Sequence, residues 1–382
     1  MNKFLFYTLL VCSFIAQNEQ ISEAGKPRRN DRMSFIILGD IHYCDENHYD
    51  LDAMQRDKPS DYRQITGTYA PVTKSNWADM TSVIRQSIRS TDPPIKCIIQ
   101  LGDISEGLAN IPGQADIIAE DVTSMLEAQD FKVPFIYAKG NHDITGIGEL
   151  RAEARQAFSK HHVPYLKKQT GNNGITEGNY TYTEGDVLFV MLDAYNPSID
   201  QTEFLKQSLE SSSAKYKFVC MHEPAIPASE RCWHYLKSGS AAERDRFLRI
   251  IAENKAFFLC GHLHRYSVLR RNTEWGPIVQ VMATSVTSVK RRNKPSYELK
   301  TEDYGPALVD RVPSWNPETA EIRKEILREE AKYVDYYQMN NLAGYGVISV
   351  DPKKDRVVLR YYPAFEAEAY DEIDLTALYN RK

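Results

Sequence analysis

The sequence predicts an α/β fold whose β-structure is buried on both sides. Three observations predict it. Short apolar, β-prone runs recur along the chain; stretches of helical periodicity lie between several of them; and each run closes on Gly or Pro beside polar residues. The runs are SFIILGD (34–40), IKCIIQLGD (95–103), VPFIYAKGNHD (133–143), YKFVCMHEP (216–224) and AFFLCGHLH (256–264). Continuous apolar strands between helices are the pattern of a sheet covered on both faces.

The intervening helices follow from one-face spacing: Trp77, Met80, Ile84 and Ile88; Ile118, Val122, Met125 and Leu126; Phe204, Leu205 and Leu209; Phe247, Ile250 and Ile251. A hairpin is expected at 179–195 around Glu184-Gly185-Asp186, and a second at 345–363. Residues 45–74 are polar, aromatic and irregular, and read as an inserted loop suited to a lid. Residues 291–344 read as a helical insertion, with Asn316 as N-cap and Pro317 as first residue of a surface helix. The expected organisation is a segment 1–24, a core over 33–290, the insertion 291–344, and a C-terminal hairpin within 345–382 that completes the core.

Composition narrows the function. With 382 residues, 42% hydrophobic and 26% charged, this is an ordinary globular chain. A net charge of −5 without a basic block argues against a general nucleic-acid or anionic-membrane binder. The one short basic run, VKRRNK (289–294), reads as a solvated loop. At the start, MNK precedes the apolar FLFYTLLVCSFIA and a small-x-small site at Ser22-Glu23-Ala24, a pattern of secretory signal peptides. Secreted or periplasmic placement is the expectation. The alternative is a tethering tail, with Cys12 as a lipid-bearing cysteine, although Val11 fits a lipobox poorly. No second long apolar run exists, so no transmembrane segment is expected after it. Five cysteines follow, an odd number that gives no disulfide framework; Cys44 and Cys232 stand in loops where they could pair.

The chemistry gathers at the strand ends, where ligands bind in open α/β sheets. Asp40 and His42 follow the first run, Asp103 the second, Asn141, His142 and Asp143 the third, His222 the fourth, and His262 and His264 the fifth. Carboxylates, an amide oxygen and imidazoles form a mixed oxygen and nitrogen set for Zn, Fe or Mn. Without Cys-x-x-Cys spacing, a closed structural zinc site is not indicated. There are too many ligands for one ion, so a pair is expected, with Asp103 as the candidate bridge.

The series Asp-x-His, Gly-Asp, Gly-Asn-His-Asp, His and Gly-His-x-His resembles the calcineurin-like metallophosphoesterases, from about Phe35 to His264. The resemblance implies a β-sandwich of two mixed sheets flanked by helices, with metal ligands on strand-end loops. It implies that Asp40, His42 and His264 hold one ion, that Asn141, His222 and His262 hold the other, and that Asp103 bridges them. His142 would face the substrate phosphate and Asp143 would orient it. Purple acid phosphatases carry a tyrosine three residues after the bridging aspartate, where this chain has Glu106, so their colour is not expected.

The function implied is phosphate-ester hydrolysis by a metal-activated hydroxide on a small-molecule monoester or diester, with two divalent or trivalent ions per chain. The alternative is a phosphate-ligand-binding protein without turnover. Tyr43, Tyr195, Asn196 and Trp233 are candidates for stacking on the substrate, against a reading as loop packing. Oligomeric state is not legible.

Overall fold

A computed structural model describes residues 31–146, 150–196, 198–232, 234–235, 240–285 and 288–381. The segment 1–24, Cys12 and Trp233 lie outside the described residues. Among the described residues there are fourteen strands, several of them separated by helices. In chain order they are β1 (Met33–Leu38), β2 (Ile95–Gln100), β3 (Phe135–Tyr137), β4 (Tyr180–Glu184), β5 (Val187–Leu192), β6 (Tyr216–Met221) and β7 (Phe257–Cys260). There follow β8 (Tyr266–Thr273), β9 (Gly276–Met282), β10 (Glu298–Lys300), β11 (Val334–Asn340), β12 (Gly344–Asp351), β13 (Arg356–Pro363) and β14 (Asp371–Asp374).

They form two mixed sheets. One has the order β14-β13-β12-β1-β2-β3, the other β10-β11-β8-β9-β7-β6-β5-β4. The sheets pack face to face. Phe35 of β1 meets the rings of Phe189 (β5) and Phe218 (β6), each at 4.9 Å between centroids and edge-on. All three are fully buried, so truncating Phe35 to alanine is expected to cost roughly 3–5 kcal/mol. The outer face of the second sheet is covered by helices Gln201–Glu210, Ala241–Glu253 and Ala320–Glu330, through Leu205, Leu209, Leu248, Ile251 and Leu327. Both hairpins are present as antiparallel pairs, β4–β5 and β12–β13, and β12 also pairs with β1.

Parallel pairing decides where chemistry can gather. β1, β2 and β3 run parallel in one sheet, and β5, β6 and β7 in the other. The carboxyl ends of both sets reach one edge of the sandwich.

Three local expectations change. Residues 45–74 are helical rather than irregular: Glu46–His48, Leu51–Asp57, Pro59–Gln64 and a wide turn at Ile65–Tyr69 that runs into helix Ala70–Ser90. Asp50 caps the second of these by accepting from Ala53 N at 2.9 Å, and Pro59 opens the next. Met54, Ile65 and Tyr69 are buried beneath a polar exterior that masks the periodicity.

The 291–344 segment carries β10 and β11 besides its helix. Its Asn316 is no side-chain cap. It sits at φ 41°, and its carbonyl, with those of Trp315 and Glu230, accepts from the fully buried Arg323 guanidinium at 2.9, 2.7 and 2.8 Å. The regular helix starts only at Ala320. Cys44 and Cys232 do not pair; both are buried free thiols.

Candidate metal centre

Three strands of the converging set, β1, β2 and β7, end in turns that L-residues resist. Asp40, His42, Asp103, His262 and His264 have φ values of 45°, 49°, 55°, 73° and 51°. Such positions cost roughly 1–3 kcal/mol each and persist where the surroundings fix them. Here they swing the chain so that residues two apart, Asp40 with His42 and His262 with His264, both face inward.

Glycine makes the close approach possible. A Cβ at Gly102, itself at φ 93°, would lie 2.5 Å from His222 Nδ1, and one at Gly140 would collide with Asp103. Gln100 locks the same turn, accepting from Gly102 N at 3.0 Å and donating to its carbonyl at 2.6 Å.

Three overlapping groups result. Asp40, His42 and His264 form the first; Asp103, His222 and His262 form the second; His42, Asp103 and His142 form a third that links them. In the first, His42 Nε2 and His264 Nε2 are 2.9 Å apart, and Asp40 Oδ1 lies 3.6 Å from His264 Nε2. In the second, His222 Nε2 is 3.1 Å from His262 Nδ1 and 3.0 Å from Asp103 Oδ2. That same Asp103 oxygen is 3.7 Å from His42 Nε2, so this carboxylate stands between the groups. Asn141 Oδ1 lies 3.4 Å from Tyr195 OH, whose ring is 6.4 Å from that of His222; the phenol's one proton is shared between Asn141 and Glu223 Oε1, the latter at 3.0 Å.

The donor set suits cations. Burial pushes the Asp40 carboxyl up to about 8, and its Oδ2 has no hydrogen-bond partner. Burial holds His42, His262 and His264 well below the usual imidazole range, so they stand as neutral nitrogen donors. Burial opposes charge on Asp103 too, but His222 and His142 outweigh it and keep that carboxyl well below its ordinary value. At His222 burial is again outweighed, by Asp103, and the imidazole rises to about 10. At most one nitrogen of each facing imidazole pair can carry a proton. Cations between the rings would satisfy them and the orphaned Asp40 oxygen together.

The residues placed behind these groups are partly unexpected. Glu106, fully buried, holds His42 Nδ1 at 2.7 Å through Oε2 and accepts from Gln64 Nε2 at 2.6 Å through Oε1. Burial pushes its carboxyl up to about 8. His142 is oriented by Glu106 as well, since its Nδ1 donates to the Glu106 carbonyl at 2.8 Å. Asp143 does not touch that ring. Its carboxylate accepts from the amides of Asp103, Gly140 and Ser105 at 3.1, 2.7 and 3.0 Å, tying two ligand turns together. Tyr69, from the helical 45–74 segment, stacks on His42 at 4.3 Å.

A cavity of about 550 Å³ opens over His262 and His264, lined also by Arg63, Gln64, Tyr69, Arg231 and Arg265. Of the expected substrate contacts, Tyr195 is at the centre. Tyr43 packs on Trp77 at 5.6 Å and does not line this cavity. Asn196 closes a local turn, accepting from Ser198 N at 3.0 Å. Glu106, Tyr69 and Arg231 were not singled out as site residues. Only Glu106 carried a signal, an acid one turn beyond Gly-Asp.

Two packed mixed sheets with histidine and aspartate clusters at their strand ends define a metal-dependent phosphoesterase. The chain belongs to the calcineurin-like phosphoesterase family, whose model matches residues 33–266. No curated protein is similar enough in sequence to count as a relative. Among solved structures, the purple acid phosphatase PPD1 from yellow lupin (Lupinus luteus) seeds is similar at 13% identity and TM-score 0.54, over 91% of this chain and 55% of that one. PhoD is similar at 15% identity and TM-score 0.50, over 92% and 70%. These likenesses concern the fold, and the chain spans about half the length of the lupin enzyme. Among the described residues no helix is long and apolar enough to cross a membrane.

Proposed function

We propose that the protein is a dinuclear-metal phosphohydrolase of small phosphate esters, with Asp40, His42 and His264 holding one ion, Asn141, His222 and His262 the other, and Asp103 shared. The observation that carries this reading is that Asp40, His42 and His264 on one side and His222 and His262 on the other converge on one buried carboxylate, Asp103. Two cations so held would neutralise phosphate charge and supply an activated water. Fe, Zn and Mn all suit the donors.

The chain's own residues supply the rest. His142 commits Nδ1 to the Glu106 carbonyl and so offers Nε2 to the leaving oxygen, as a proton donor. Its side chain is 18% exposed, less than the 29% of His264 but enough for substrate to reach it. Burial opposes protonation of His142, but Glu106 and Asp103 outweigh it and raise its pKa, favouring the acid form. Arg231 and Arg265 line the cavity and would orient an anion there.

The test assays p-nitrophenyl phosphate beside bis-p-nitrophenyl phosphate after reconstitution with Mn²⁺, Zn²⁺ or Fe²⁺. A metal-dependent rate is expected, and the better substrate assigns monoesterase or diesterase. A folded protein that holds two ions and turns over neither ester overturns the proposal. Export is part of the same reading, carried by the apolar segment before Ser22-Glu23-Ala24. A mature N-terminus beginning after Ala24 is the expected result of sequencing protein from the native source, and retained Met1 in the mature protein would refute it.

A further inference from the structure

The basic run at 289–294 is exposed, as a solvated loop should be, and it also borders the site. Lys290, Arg291 and Arg292 line a cavity of about 240 Å³ whose wall also includes His264 and Arg265. His264 and Arg265 belong equally to the lining of the larger cavity over the cluster. The two cavities therefore meet at the outer ligand of the first group.

Four cationic side chains line the smaller cavity, and no carboxylate does. Arg291 is spoken for, pairing with Asp79 at 2.8 Å. Among the described residues, Arg265, Lys290 and Arg292 have no ion-pair partner. Arg265 is anchored, donating to the His264 carbonyl at 2.8 Å.

The loop is held in place by contacts that leave those groups available. Asn76, 2% exposed within helix Ala70–Ser90, donates to the Ser288 carbonyl at 2.8 Å. Asparagine is a weak choice for a helix interior, and here it fixes the loop against the site. Lys290 and Arg292 are exposed, and salt screens such charges beyond about 8 Å. They would act chiefly on an anion already brought close by another anchor. A phosphate at the Asp/His cluster is such an anchor. The cavity is smaller than the roughly 300–1,000 Å³ of sites for whole organic ligands. It suits one charged group.

We propose that the substrate carries a second anionic group, a phosphate or similar dianion, which seats on Arg265, Lys290 and Arg292 while the ester to be cleaved lies at the Asp/His cluster. This rests on the phosphoesterase reading of that cluster. A small bis-anion is favoured over a nucleic-acid strand, because the basic groups are confined to one short run and the chain is net acidic.

Titration calorimetry on the Mn²⁺-loaded chain tests it, with butane-1,4-bisphosphonate, the matching monophosphonate (neither open to ester hydrolysis) and a short oligothymidylate as probes. The bisphosphonate is expected to bind about tenfold tighter than the monophosphonate, the worth of one charge-assisted contact. That ratio should fall towards one in the Lys290→Ala/Arg292→Ala variant. A ratio of one in the wild type, a ratio undiminished in the variant, or preferential capture of the oligothymidylate overturns the proposal. Failure of the hydrolase reading looks different: the ratio is present, but p-nitrophenyl phosphate is not turned over.

Discussion

His42 and His222 both face Asp103 Oδ2, at 3.7 and 3.0 Å, yet their rear nitrogens meet different partners. Behind His42 stands the Glu106 carboxylate at 2.7 Å; behind His222 stands the Leu101 carbonyl at 2.8 Å. A carboxylate behind an imidazole fixes its tautomer and makes the front nitrogen more basic, whereas a carbonyl mainly orients. The first group adds Asp40 to this, whereas the proposed second ion would take the neutral amide of Asn141. On the proposed two-ion reading, one half of the centre would hold its ion tightly and the other would keep its ion electron-poor.

The largest effect should come from removing what the halves share. Asp103→Ala is expected to empty both and to lower kcat/KM on p-nitrophenyl phosphate by about 10³-fold or more, since charge stabilisation by such ions is worth several kcal/mol. Metal analysis beside the rate checks it. One ion retained at full activity would show that the halves are independent. His142→Ala should follow, with kcat down about 10²–10⁴-fold and both ions kept. Loss of metal in that variant would make His142 a ligand rather than an acid.

How much of this was legible in the sequence depended on reach. Asp40, His42, His262 and His264 announce themselves because strand, turn and ligand lie within a few residues, and the same local grammar marks Asp103 and Asn141. Glu106 meets His42 across 64 positions and was visible only as a missing tyrosine. Tyr43, adjacent to a ligand in sequence, turned out to pack on Trp77. Tyr69, far along a segment that looked like loop, stacks on His42 instead. The sandwich followed from the family pattern, whereas apolar runs alone gave only a sheet buried on both sides. The helices of 45–74 were hidden because so few of their side chains are buried.

Glu106→Gln sharpens the comparison directly. Glutamine keeps the shape and removes the carboxyl behind His42, which burial disfavours as an anion but which a cation in front of the ring would draw into its charged form. Affinity for one ion of the two is expected to fall about 10–100-fold, the usual cost of removing such a partner. The second ion should be unmoved. Competition with a chelator, read as two separate release steps, distinguishes them. Equal weakening of both ions would mean that Glu106 acts through His142 and the shared turn, not through His42 alone.

Tyr195→Phe probes the opposite half, and its effect should be the smallest. The phenol donates to Glu223 at 3.0 Å and approaches Asn141 Oδ1 at 3.4 Å, so it steadies the amide from behind with a neutral group. Burial and Glu223 push its pKa well above the ordinary value, so it remains a donor at any working pH. A neutral hydrogen bond is worth about 0.5–1.5 kcal/mol net, which corresponds to a few-fold to about tenfold change in affinity for the second ion. The first ion should keep its affinity, and kcat at saturating metal should hold. If Tyr195→Phe instead matches Glu106→Gln in size, the two halves are backed equally well, and the contrast between a charged and a neutral rear partner does not set how tightly each ion is held.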